Sequence, residues 1–513
     1  MKTSARFLAL AILIPTFEFQ STYSQNPTAK TKSGLVTGYL NQDKSVAIYK
    51  GVPYAAPPIG DLRWKEPQPL KPWKETRACT KFSASPYQNT PAPFMMWSAE
   101  FIAPPEPLSE DCLYLNVWSS ANTKENLPVL VYIYGGGFVS GSSACAVYDG
   151  EALARQGIVY VSINYRVGVF GFLSHPGLTK ESPYHASGNY ALLDQIAALK
   201  WVKENIASFG GDPNQVTIAG QSAGSFSVQA LVASPLAKGL FHGAIAQSGA
   251  SFSRFSKSLS EAEKTGEALS QKIGKSDIES LRKLSSDSLL KLANAFSFGT
   301  FGVVIDGYVI PNHFKEIFQN KKHNDVPLMA GWVMGDAALM RAGQQSKEKF
   351  VEWVTTTYGN KKEEFLKIFP ANTDEEVRKS QDKFGLMQFA AYPDHQWAGY
   401  NSSNCYLYQF SYVPTDKPGF PNYGALHTAD VPFALHTLKL WDRPWTETDY
   451  NVENTMTSYW VNFVKTGNPN GAELPEWKPY DSTSGNIMEL NRSAELKPAL
   501  YENEFKILES TDN

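Results

Sequence analysis

The chain has 513 residues, with 47 lysines and arginines against 50 aspartates and glutamates, a formal charge of −3. Its 42% hydrophobic and 19% charged residues exclude an intrinsically disordered chain. Near-neutral charge without a basic run lacks the electrostatic footprint of a nucleic-acid binder, so no nucleic-acid partner is expected. The 12 Trp, 25 Tyr and 29 Phe suffice to line a large core and an apolar pocket.

Residues 1–24 read as a cleavable leader. Lys2 and Arg6 precede an apolar run at residues 7–14, and Thr22 and Ser24 place small residues before a cut at Gln25. The mature protein is therefore expected to be secreted or periplasmic. That run is too short for ~30 Å of hydrocarbon and no other stretch reaches ~18 apolar residues, so no membrane span is expected. Four cysteines are few for this length, and disulfides are not the scaffold. Cys79 and Cys112 bracket an excursion holding Pro86, Pro91, Pro93, Pro104, Pro105 and Pro107, which a crosslink would tether. Cys145 and Cys405 lie in apolar settings and read as buried thiols. No Cys/His cluster has metal-ligand spacing, so no metal is expected.

Further along, apolar β-rich runs alternate with turns and helical periodicity. Residues 127–134 (LPVLVYIY) read as a buried strand ending in Gly135-Gly136-Gly137, and 158–164 (IVYVSIN) as the next strand. Residues 190–209 repeat Leu193, Ile196, Ala197, Trp201 and Ile206 on one helical face, until Gly210-Gly211-Asp212-Pro213 breaks the helix. Residues 215–219 (QVTIA) read as a third strand, turned sharply by 220–224 (GQSAG) into a helix over 225–233. Later strands are expected at 243–247, 327–330 and 406–410. The charged stretches 257–295 and 345–385 read as helical insertions, so 25–513 forms a single domain. Strands with long crossovers require a large, mostly parallel sheet covered by helices on both faces.

Gly220-x-Ser222-x-Gly224 between a strand and a helix is the central signal. A serine hydroxyl needs a base and an exposed, sharply turned position to act as a nucleophile, and the flanking glycines relieve that turn. Gly135-Gly136-Gly137, at the end of an earlier strand, suits backbone donors aimed at an oxyanion. No Lys-Ser/Thr follows that loop, which argues against a phosphate site.

Seven stretches together resemble the type-B carboxylesterase/lipase family, the cholinesterase-like branch of the α/β-hydrolases. They are 49–64 (YKGVPYAAPPIGDLRW), 109–116 (SEDCLYLN), 132–141 (YIYGGGFVSG), 164–172 (NYRVGVFGF), 188–225, 424–433 (GALHTADVPF) and 458–470 (SYWVNFVKTGNPN). The resemblance implies the α/β-hydrolase fold, Ser222 as nucleophile, and the N–H groups of Gly136, Gly137 and Ala223 as the oxyanion hole. It also implies a Cys79–Cys112 disulfide and structural ion pairs of Arg63 with Glu110 and Arg166 with Asp194.

The chain order for this fold is serine, acid, histidine. Among His313, His323, His395, His427 and His436, His427 matches the family's histidine loop; His436 reads as structural, and His395 as a pocket neighbour of Trp397. The family's acid is usually a glutamate five residues after a strand-ending glycine, where this chain has Asp336. Aspartate orients an imidazole with a shorter reach, and Asp306 and Asp325 are its rivals. Cholinesterases carry glutamate where this chain has Gln221, which points away from a cationic substrate. Trp97, Phe138, Gln221 and Trp397 are candidate pocket residues. The expectation is a serine carboxylesterase for neutral apolar or aromatic esters, with a small-molecule ester as partner and no cofactor. An amidase, a lactonase or a non-catalytic extracellular adhesion relative are the alternatives.

Overall fold

In a computed structural model of the chain, residues 26–121, 126–252, 257–274 and 277–511 are described. The expected leader at 1–24 lies outside them.

The apolar runs assemble one eleven-stranded sheet. In chain order its strands are Tyr39–Leu40 (β1), Val46–Pro53 (β2), Tyr114–Ser120 (β3), Leu127–Ile133 (β4), Val159–Ile163 (β5), Gly211–Gln221 (β6), Gly243–Gln247 (β7), Leu328–Val333 (β8), Cys405–Phe410 (β9), Ile487–Leu490 (β10) and Ala494–Lys497 (β11). Across the sheet they run β11-β10-β9-β8-β7-β6-β4-β5-β3-β2-β1. From β10 to β5 every pairing is parallel. The ends, β10–β11 on one side and β5–β3–β2–β1 on the other, are antiparallel. The sheet is thus mixed around a parallel centre, and it is an α/β-hydrolase sheet with helices on both sides. Ala223–Ala233 (α1) lies on β4, β6 and β7, and Glu447–Thr466 (α2) on β4 and β6.

Strands β4, β5, β7, β8 and β9 are buried along nearly their whole length, and β6 from Val216 onward, as parallel strands covered on both faces must be. The expected helix over 190–209 is α-helical across Tyr190–Asn205 and tightens into a 3-10 turn at Ile206–Phe209. Gly210 then takes φ 83°, a left-handed stop that glycine adopts without strain. Strand β6 begins earlier than QVTIA, because Gly211 pairs with Leu127 before a register shift carries the chain to Val216. Both expected insertions are helical: Leu259–Gln271, Ile278–Arg282 and Ser286–Ala293 in the first, Lys347–Tyr358, Lys362–Ile368 and Asp374–Leu386 in the second.

Strand β4 has β5 on one side and β6 on the other, so the chain reverses its direction of travel across the sheet there. In an open parallel sheet the crevice at such a reversal, outside the carboxyl ends of the strands, is where ligands bind. The Gly135–Gly137 loop and Ser222 leave the carboxyl ends of β4 and β6. Among the described residues no helix is long and apolar enough to cross a membrane.

All four cysteines are buried free thiols, so the expected Cys79–Cys112 crosslink is not formed. The two meet β2 at different stations. The Cys79 carbonyl accepts from Lys50 N, whereas the carbonyl of Leu113, next to Cys112, accepts from Tyr54 N. The Cys79 thiol instead faces the Gly51 carbonyl at 3.8 Å.

Candidate active site

Ser222 sits where β6 turns into α1, with φ 57° and ψ −123°, a strained conformation for a residue with a side chain. The turn is pinned by Ser222 N donating to the Gln247 carbonyl at 2.8 Å. A Cβ on Gly220 would collide with the Gly224 carbonyl, and one on Gly224 with the Ile133 carbonyl at the end of β4. Glycine at both positions therefore lets the elbow press against the neighbouring strand. The turn leaves Ser222 half-exposed above a wholly buried helix start.

Gly136 and Gly137 have φ of 115° and 62°, and their loop curls so tightly that a Cβ on Gly136 would strike the Ser140 carbonyl. Among the described residues no carbonyl accepts from the N–H groups of Gly136 and Gly137. Ala223 opens α1, where helix N–H groups lack intrahelical partners. Phe298, 80% exposed, lays its ring over Gly137, so that a Cβ there would meet the Phe298 ring.

His427 comes from the loop after β9, and Asp336 from the first turn of a 3-10 segment, Met334–Gly343, directly after β8. His427 Nδ1 lies 2.5 Å from Asp336 Oδ1, both groups being buried. Asp336 Oδ2 accepts from Val333 N at 3.0 Å, which ties the acid to the end of β8. Gly335 makes this meeting possible, since a Cβ there would collide with the Ala425 carbonyl of the histidine loop. The rivals are occupied elsewhere. Asp306 accepts from Tyr308 N and Ile310 N, and Asp325 from Ser402 N and Ser403 N. His323 pairs with Asn401, His395 with Tyr480 and Glu509, and His436 lies by Thr457 and Glu453.

Of the four expected pocket residues, the structure brings two to the histidine. Trp97 meets the His427 ring edge-on at 6.2 Å between centroids, and Gln221 Nε2 lies 3.0 Å from His427 Nε2. Phe138 and Trp397 turn instead into the core, against Phe172 at 5.1 Å and Phe318 at 5.8 Å, since both rings are almost fully buried. Sequence reasoning missed Phe389, whose ring approaches His427 at 5.7 Å. It comes from a π-helical turn, Met387–Ala391, and such turns accumulate at functional sites. No short-range pattern marks it.

Two further carboxyls were also missed. Asp430 accepts at one oxygen from Gln247 Nε2 and the Tyr408 hydroxyl, at 2.9 and 2.8 Å. Burial pushes its pKa up to about 6 against those two hydrogen bonds. Asp394 is wholly buried and neither carboxyl oxygen has a partner among the described residues. Burial first, and the Asp336 charge second, push its pKa well above the carboxylate range. The spacing HisThrAlaAsp from His427 to Asp430 is visible in sequence; the approach of Asp394 to Asp336 is not. The two expected ion pairs are formed: Arg63 with Glu110 at 2.5 Å and Arg166 with Asp194 at 2.7 Å. Among the described residues no group of His, Cys, Asp and Glu side chains is placed to hold a metal.

A serine on a strained elbow, a glycine loop beside it and a buried histidine–aspartate pair on an α/β-hydrolase sheet define a hydrolase site. Residues 25–508 match the carboxylesterase family, and the chain belongs to that family. It is 34% identical to fumonisin B1 esterase of Sphingopyxis macrogoltabida, over 89% of this chain and 85% of that one. It is likewise 34% identical to carboxylesterase 1D of Rattus norvegicus, over 90% and 89%. Among solved structures, a PNB esterase matches at TM-score 0.80 and 30% identity, over 94% of this chain and 100% of that one. Carboxylesterase EST55 of Geobacillus stearothermophilus matches at TM-score 0.81 and 31% identity, over 94% and 99%. The protein is a carboxylic ester hydrolase.

Proposed function

We propose that the protein is a serine carboxylesterase that cleaves neutral apolar or aromatic esters through an acyl-enzyme. The observation that carries this reading is the 2.5 Å contact of His427 with Asp336 beside the strained Ser222 elbow. His427 takes the Ser222 proton as Oγ attacks the ester carbonyl, with Asp336 holding the imidazole tautomer and facing its positive charge. The N–H groups of Gly136, Gly137 and Ala223 receive the oxyanion, each such donor being worth ~10²–10³ in turnover. The imidazolium then protonates the leaving alcohol, and water repeats the sequence on the acyl-enzyme.

The substrate reading rests on the walls. Trp97, Phe389 and Phe298 stand at the histidine and the glycine loop, with the Phe94 ring tilted against Trp97 at 4.8 Å between centroids, and no lysine or arginine is among them. Aromatic faces of this kind favour apolar acyl or aryl groups. The basic start and apolar run within residues 1–24 support export of the mature chain.

The test is hydrolysis of p-nitrophenyl acetate, butyrate and octanoate by residues 25–513, beside Ser222→Ala. The expected result is turnover on all three that falls by ~10⁴-fold or more in the variant. Equal activity in folded Ser222→Ala overturns the mechanism, and the chain-length profile sizes the acyl site.

A further inference from the structure

The contact at the outer nitrogen of the histidine is with an amide. Asp336 Oδ1 lies 2.5 Å from His427 Nδ1 and accepts a hydrogen bond from its N–H, so the neutral imidazole presents a bare lone pair at Nε2. The atom 3.0 Å from that lone pair is Gln221 Nε2, an amide N–H donor. Among the described residues no hydrogen bond joins Ser222 Oγ to His427. Gln221 is the last residue of β6, its side chain is almost wholly buried, and its Oε1 lies against Gly135, the first glycine of the loop after β4. One amide thus spans from that loop to the base.

We propose that Gln221 is a positioning residue that holds the His427 lone pair in the free enzyme and releases it to Ser222 as the ester binds. The proposal rests on the reading of Ser222 and His427 as nucleophile and base. It follows from donor and acceptor capacity. Neutral imidazole at Nε2 accepts a hydrogen bond, which the amide NH₂ supplies; imidazolium at Nε2 donates one, which the same amide receives by turning its Oε1 inward. Glutamate at this position offers acceptors alone and leucine offers neither. The free serine is accordingly less reactive than the bare triad would make it.

The experiment measures second-order inactivation by phenylmethanesulfonyl fluoride for the wild-type enzyme, Gln221→Leu and Gln221→Glu, together with kcat and KM on p-nitrophenyl acetate. Losing one hydrogen bond made only in the free enzyme should raise the Gln221→Leu inactivation rate about fivefold and lower KM by a similar factor. Gln221→Glu should not reproduce that rise. In wild-type protein the ¹⁵N resonance of His427 Nε2 should lie at the shift of a hydrogen-bonded acceptor and move in Gln221→Leu. This resonance tests the contact even if the leucine variant does not fold. An inactivation rate unchanged or lower in folded Gln221→Leu, or a wild-type Nε2 with the shift of a free lone pair, overturns the proposal. Failure of the underlying reading is distinct: the reagent would then leave Ser222 of the wild type unlabelled.

Discussion

Two sets of buried carboxylates are handled in opposite ways. Asp194 and Glu110 each face an arginine in a two-pronged pair. Arg166 reaches Asp194 through Nε at 2.8 Å and Nη2 at 2.7 Å, and its backbone N adds a third bond at 3.0 Å. Arg63 grips Glu110 while its Nη1 donates to the Arg282 and Leu284 carbonyls, tying the first insertion to the segments that carry this ion pair. Asp336, Asp394 and Asp430 are as deeply buried, yet no lysine or arginine among the described residues pairs with any of them. A permanent cation beside Asp336 would satisfy it before any substrate arrived. With that place left open, the proposed mechanism puts the one positive charge there on His427 as it takes the serine proton. The scaffold pairs use their electrostatics to hold the fold, and on the proposed mechanism the site keeps its own for the transition state.

Substitutions on either side of this contrast should separate activity from stability. Asp336→Asn should lower kcat by ~10⁴-fold while the fold persists, since the amide favours the wrong imidazole tautomer. Asp306→Asn serves as the control and should leave kcat within about tenfold of the wild type; the reverse ranking in steady-state kinetics would move the acid. Arg166→Ala should do the opposite, costing about 3–5 kcal/mol in denaturant unfolding because Asp194 is left buried and uncompensated. Its kcat per folded molecule should stay close to wild type.

Asp394→Asn should have the smallest effect and the opposite sign, a gain of about 1–3 kcal/mol at neutral pH from removing an unpartnered buried carboxyl. The folded pKa of Asp394 is raised, so its stabilising share is complete below the ordinary carboxylate range and is lost as pH climbs through the raised value. The gain over wild type should therefore vanish near pH 3 and grow towards neutrality in thermal melts. A gain independent of pH would mean that Asp394 is charged in the fold.

Much of the site was legible because its parts are local. The elbow is five consecutive residues between an apolar strand and a helix, and the glycine loop is three residues after another strand. Asp336 was legible from its place five residues after Gly331, with Asp306 and Asp325 as rivals. What singles it out is Gly335, whose missing side chain lets the acid loop close on Ala425, and that closeness is a property of two loops about 90 residues apart. Phe138 and Trp397 were misplaced for the complementary reason: an aromatic beside a motif looks the same whether its ring faces a crevice or the core. The antiparallel edge strands β10 and β11 were not anticipated, since only a neighbour makes such short segments strands.

By itself, the order of residues carried the resemblance to the family and the parallel centre of the sheet, and it offered Ser222 and His427 as candidates, because periodicity and motifs within one turn of chain are local. The tertiary structure alone decided that Asp336 rather than its rivals reaches the histidine, that Cys79 and Cys112 are not crosslinked, that Asp394 lies without a partner among the described residues, and that the amide of Gln221 faces the lone pair. These depend on where distant loops stop against one another, and that is set by packing across the carboxyl edge of the sheet.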